Sequence, residues 1–81
     1  MTKSLDKKAI KNTIRELFKS AVKIQGINDD TIDYLKYVKE DQLSYAYKIL
    51  TKQIKNRIKL KSVQTKYLGQ AKDIYNSLRG K

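Results

Sequence analysis

Apolar residues recur at intervals of three and four positions along this 81-residue chain, and no proline interrupts the pattern. Such spacing places apolar side chains on one face of an α-helix, so it favours helical folds over all others. The first run predicts a helix over about residues 5–25, with Ser4 as N-cap and Gly26 as its stop. Its apolar face consists of Ile10, Ile14, Leu17, Ala21 and Ile24, widened by Phe18 and Val22.

A second helix is predicted over about residues 29–39. Asn28 is its N-cap, and Ile27 and Ile32 occupy the two positions of a hydrophobic staple. The apolar pattern lapses at residues 39–42, so a break is expected there.

Two longer helices follow the break, over about residues 42–60 and 63–79. The last one is predicted to begin at the cap Ser62 and to end before Gly80. Gly69 within it either weakens the helix by about 1 kcal/mol relative to Ala or allows another backbone to come close. The two apolar faces are formed by Leu43, Ala46, Tyr47, Leu50, Ile54 and Ile58, and by Tyr67, Ala71, Ile74 and Leu78.

A β-hairpin is the competing interpretation of part of this region. Residues 57–61 alternate apolar and basic, and Val63, Thr65 and Tyr67 alternate after them. Because no Gly or Asn stands at the turn, the helical interpretation is preferred. The predicted fold is an all-α bundle of three to four short helices, forming a single domain over residues 1–81. Short helices leave apolar faces that one chain does not fully cover, so a homodimer and a monomer both stay open.

Charged residues are unevenly distributed along the chain. There are 19 Lys and Arg against 8 Asp and Glu, which gives a net charge of +11. Residues 1–28 carry a net +5, residues 29–41 a net −3, and residues 42–81 a net +9. The acidic segment either screens its basic neighbours within the fold or faces away from an anionic partner.

The composition excludes several kinds of functional site. Without His or Cys the chain can form no disulfide, no zinc centre with His or Cys ligands, and no His-based catalytic dyad. Asp29, Asp30 and Asp33 lack the Gly and the distal Glu of an EF-hand, and we interpret them as helix-start carboxylates. The three glycines are isolated, so no glycine-rich phosphate loop is present. We therefore predict a protein that is not an enzyme and that binds no metal and no cofactor.

Apolar stretches are too short for a transmembrane helix or a signal peptide, which predicts a cytoplasmic or intravirion protein.

Basic residues form stripes along two of the predicted helices. Lys48, Lys52, Lys55 and Lys59 are spaced by four, three and four positions, which stacks them over about 16 Å of helix. Cations along a rigid element neutralise several phosphates together and release their counterions. The predicted phosphate contacts are Lys48, Lys52, Lys55, Arg57, Lys59 and Lys61, with auxiliary contacts from Lys8, Lys11, Arg15 and Lys19 if the first and third helices pack side by side.

Lysine predominates among these cations, with 16 Lys and 3 Arg in the chain. Lysine is a mobile point charge, whereas Arg makes the forked contacts that recognise guanine, so backbone binding is favoured over sequence recognition. Tyr45, Tyr67 and Tyr75 can stack on unpaired bases, although a position at the edge of the core is preferred for them. A lysine line opposite an apolar face is also typical of a helix that merely faces water.

The sequence thus predicts a small basic helical protein that binds DNA or RNA mainly through phosphates and comes from a phage, plasmid or other mobile element. The alternative is a protein-interaction module with an acidic protein partner, or a module on an anionic membrane surface. In size, charge and helical layout, and in its basic C-terminal helix with Asp73-Ile74-Tyr75-Asn76-Ser77-Leu78, the chain is similar to the small immunity proteins of bacteriocin producers. That resemblance implies a helical bundle acting on a protein or a membrane-associated partner.

Overall fold

The computed structural model describes residues 6–24 and 27–80, and these form four α-helices. Their bounds are Lys7–Ile24 for α1, Asp29–Asp33 for α2, Leu43–Arg57 for α3 and Lys61–Arg79 for α4. Two 3-10 turns, Tyr34–Tyr37 and Glu40–Gln42, connect α2 to α3. The described residues contain no strand, so the predicted all-α bundle is confirmed and the alternative hairpin over 57–67 is wrong.

The helices pack in a ring of four. α3 packs against α1 and α4, and α2 packs against the same two helices but makes little contact with α3. Since α2 and α3 share both neighbours, they lie across the bundle from each other. The radius of gyration is 12.0 Å, close to the value of about 12 Å expected for a compact domain of this length.

The core lies where the apolar faces meet, much as the periodicity predicts. Phe18 is fully buried at its centre, whereas Val22, expected beside it, is 45% exposed. α4 contributes only one fully buried side chain, that of Ala71. The other apolar residues of α4 are partly buried against the core: Val63, Tyr67, Leu68, Ile74, Tyr75 and Leu78.

α2 begins as predicted but ends earlier. The Asn28 side chain accepts a hydrogen bond from the Thr31 backbone N–H at 3.3 Å, which confirms the N-cap. The α-helix stops at Asp33 and tightens into the 3-10 turn, so the helix predicted over 29–39 is too long. The apolar spacing did not reveal this: Ile32, Leu35 and Val38 are three residues apart, which fits one face of an α-helix as well as a 3-10 turn.

The predicted break at residues 39–42 is confirmed. Val38 and Lys39 are extended, with ψ angles of 142° and 149°, and the Glu40–Gln42 turn then leads into α3.

The turn between α3 and α4 comes earlier than predicted. α3 ends at Arg57 rather than residue 60, because Ile58 becomes extended (φ −96°, ψ 115°) while its side chain stays in the core. The Gln64 side-chain amide donates hydrogen bonds to the carbonyls of Ile58 (3.1 Å) and Lys55 (3.3 Å). These bonds satisfy carbonyls that the end of α3 leaves without helical partners.

The start of α4 is accordingly shifted. α4 begins at Lys61, two residues before the predicted start, and Ser62 lies inside it rather than capping it. Leu60 holds the N-cap position without a side-chain hydrogen bond. Gly80 follows the helix as predicted. Ser4 and Gly26, the predicted start and stop of the first helix, lie outside the described residues.

Candidate nucleic-acid interface

The solvent face of α3 is composed mainly of cations. Its exposed positions are Ser44, Lys48, Lys52, Lys55, Asn56 and Arg57. Lys48, Lys52 and Lys55 follow one another at the helical spacing of four and three, over about 10 Å at 1.5 Å per residue. The first three members of the predicted lysine line therefore share one rigid, exposed face, which we call the α3 lysine face.

The predicted line does not continue along the helix to Lys59. Because Ile58 leaves the helical conformation, Lys59 lies in the connection between α3 and α4, and Lys61 is the first residue of α4. Both side chains are exposed, as is Leu60 between them. The 16 Å helical line is thus wrong in its last step, and the α3 lysine face is followed instead by a basic turn held by Gln64.

The auxiliary cations lie on the neighbouring helix. Lys8, Lys11, Arg15 and Lys19 are all exposed on α1, which packs against α3 as the prediction required. The Lys7 ammonium lies 5.4 Å from the centre of the Tyr45 ring, so the N-terminal ends of α1 and α3 are close together.

None of these predicted contact residues forms an ion pair with a carboxylate in the described residues. The one ion pair in the described residues joins Lys36 Nζ to Asp33 Oδ1 at 3.6 Å, and it includes none of the ten predicted contacts. Asp29 and Asp33 lie on α2, across the bundle from α3, where they line a hollow of about 290 Å³ with Asp73. The carboxylates of α2 therefore lie away from the α3 lysine face, whereas Glu40 and Asp41 lie in the 3-10 turn that leads into α3. Within the described part of the chain, no three Asp or Glu side chains are grouped so as to hold a metal ion.

The three tyrosines singled out in the sequence pack at the edge of the core. Tyr45, Tyr67 and Tyr75 are each partly buried, and a cation lies over each ring. The preferred prediction, that these tyrosines lie at the edge of the core, is therefore confirmed. Base stacking by these rings stays a prediction.

Tyr75 forms an ordered cluster that the sequence did not indicate. Its ring stacks on that of Tyr47, with centroids 4.3 Å apart and planes 8° apart. Its hydroxyl is hydrogen-bonded to Ser44 at 3.0 Å, and the Arg79 guanidinium lies 5.6 Å from the ring centre. The Ser44 hydrogen bond, followed by the nearby Arg79 side chain, lowers the pKa of the Tyr75 hydroxyl below its usual value.

An open groove between α3 and α4 was also missed. It has a volume of about 410 Å³ and is lined by Tyr47, Thr51, Lys55, Thr65, Leu68, Gly69 and Lys72. Gly69 costs about 1 kcal/mol of helix stability relative to Ala, yet a Cβ at this position would meet nothing within 4 Å. Close approach of another backbone, one of the two expectations for Gly69, is thus wrong. Nothing in the structure requires glycine at this position.

No protein-family model matches the chain, and neither curated proteins nor solved structures show significant similarity to it. None of the helices in the described ranges combines the length and the apolar character that crossing a membrane requires.

Proposed function

We propose that this protein binds nucleic acid through the phosphate backbone. The observation that carries the proposal is the α3 lysine face, where three lysines lie along one exposed line without ion-pair partners in the described residues. Its contacts would be Lys48, Lys52, Lys55, Arg57, Lys59 and Lys61, supplemented by Lys8, Lys11, Arg15 and Lys19 on α1.

Two further features support this function. The acidic residues of α2 lie across the bundle from α3, so they neither shield the lysines nor repel an approaching polyanion. The basic turn at Lys59 and Lys61 is held by two hydrogen bonds from Gln64. An ordered turn loses less conformational freedom when it binds than a flexible one would. For such a protein we expect a cytoplasmic location and an origin in a phage, plasmid or other mobile element.

The test is a salt titration of binding to a duplex and to a single strand of equal length. The wild type should show a log–log slope worth four or more phosphates, at about 0.9 per duplex phosphate contacted. Changing Lys52, Lys55 and Lys59 together to Gln should weaken binding and reduce the duplex slope by about 2.7. All three side chains are exposed, so the fold should persist.

The matched control changes Lys23, Lys36 and Lys39 to Gln. These three are also exposed, and their replacement removes the same charge from α1 and the acidic segment. The control should keep the wild-type slope. If the two triple variants lose the same amount of salt slope, only the net charge of the protein matters. A wild-type slope near zero would refute nucleic-acid binding itself.

A protein-interaction module, including one of the immunity type, is the second candidate. Its partner would cover exposed apolar side chains such as those of Tyr37 and Leu60, each 64% exposed. A shallow salt slope together with binding to an acidic protein at about 0.3 M salt, where exposed charge pairs are largely screened, would support this candidate instead.

A further inference from the structure

The groove between α3 and α4 combines cations with an apolar wall. Lys55 borders it from α3 and Lys72 from α4, and both lysines are exposed. Tyr47 and Leu68 are among the residues that line it between them. With a volume of about 410 Å³ it is open to solvent, so a ligand would lie against it rather than be enclosed.

Gly69 lies at the edge of this groove. It stands in the interior of α4, where glycine is the least favourable residue after proline. Neither packing nor backbone conformation demands it, since a Cβ would meet nothing within 4 Å and the backbone is helical. The lack of a long side chain at position 69 leaves the edge of the groove open, and alanine would do so as well.

The aromatic wall is held in place before any ligand arrives. Tyr47 is stacked on Tyr75 at 4.3 Å, and Tyr75 is held by its hydrogen bond to Ser44 and by the Arg79 guanidinium. A ring fixed in this way loses little freedom when a flat group packs beside it.

We propose that the groove receives the base of an unpaired nucleotide, while Lys55 and Lys72 hold the flanking phosphates. The inference rests on the proposed function and deepens it, since it makes single-stranded nucleic acid the ligand. Lys55 also belongs to the α3 lysine face, so a strand that follows this face passes the groove. Two bordering ammonium groups favour an anionic occupant over an apolar helix, and a basic groove with aromatic side chains is the usual platform for single strands.

The test compares two probes of about 16 nucleotides, an oligothymidylate and an abasic oligomer with the same number of phosphates. Both probes offer the same charge, but only the first carries bases. Wild-type protein should bind the oligothymidylate roughly tenfold more tightly, because stacking of one base is worth about that factor. Equal affinity for the two probes would overturn the proposal without any variant being needed.

Gly69→Leu should fill the groove and bring the two affinities to within about twofold of each other, by lowering only the oligothymidylate affinity. Gly69→Ala is the matched control: it adds the same helix propensity without a long side chain, and it should keep the tenfold preference. A preference that survives Gly69→Leu in a folded protein would overturn the groove assignment.

The outcomes also separate this inference from the proposed function. Tight, salt-dependent binding of both probes with equal affinity would leave phosphate binding intact and remove only the base site. Absence of binding to either probe would refute both. If sedimentation shows instead a wild-type dimer that Gly69→Leu dissociates, the occupant is a second copy of this chain and the nucleotide site is wrong.

Discussion

Thr31 provides the sharpest test of the packing in this fold. It is fully buried, and its hydroxyl oxygen has no hydrogen-bond partner among the described residues. A buried hydroxyl without a partner costs about 1–3 kcal/mol. Replacing Thr31 by Val exchanges that hydroxyl for a methyl group of nearly the same shape and keeps the branched Cβ.

The expected result is a gain in stability of about 1–2 kcal/mol, somewhat less than the full penalty because the surroundings are packed around the hydroxyl. The backbone N–H of Thr31, which donates to the Asn28 side chain, is unaffected by the change. For a domain of this length each kcal/mol raises the melting temperature by roughly 4–8 °C. Urea unfolding followed by circular dichroism measures the difference directly.

Thr51→Val is the matched control. Its hydroxyl donates a hydrogen bond to the Lys48 carbonyl at 2.9 Å. The same substitution therefore removes a hydrogen bond at Thr51, whereas at Thr31 it removes a buried hydroxyl without a partner. The control should leave stability unchanged or lower it by a few tenths of a kcal/mol. A Thr31→Val protein no more stable than the wild type would refute the reasoning, because it would show that the buried hydroxyl is satisfied.

Two further predictions concern the contacts around the interface. Gln64→Met keeps the length of the side chain but cannot donate hydrogen bonds to the carbonyls at the end of α3. Urea unfolding should show that the free energy of unfolding falls by about 1–2 kcal/mol. The control Gln53→Met removes only an exposed contact to Arg57, and it should change the free energy of unfolding by less than about 0.5 kcal/mol. Ser44→Ala removes the main cause of the lowered Tyr75 pKa, so spectrophotometric titration should show one tyrosine ionising at higher pH than in the wild type. An unchanged titration curve would contradict the assigned hydrogen bond.

Helical periodicity predicted most of the fold because three of the helices bury a face with the α-helical repeat. The second helix was predicted too long, because an apolar spacing of three fits an α-helix and a 3-10 turn alike and so does not show where one gives way to the other. The turn after Arg57 could not be predicted in the same way. Ile58 continues the α3 apolar face and is buried in the core, so its sequence position is compatible with a helical and with an extended backbone.

The candidate site was predictable only where it depends on a single helix. Lys48, Lys52 and Lys55 lie opposite a strong apolar face, so their exposure follows from α3 alone. The groove requires Lys55 of α3 and Lys72 of α4 to border the same hollow, and the register that brings them there depends on the turn at Ile58. Sequence spacing carries no information about such a register.

The partial burial of α4 has a consequence for dynamics. Ala71 is its one fully buried side chain, and its other core-facing residues are only partly buried; amides in elements with few fully buried side chains exchange more readily in native-state hydrogen exchange. Opening of α4 would also take apart one wall of the groove. A ligand held between α3 and α4 would therefore stabilise the closed position of α4, and its binding energy would appear as slower amide exchange along α4.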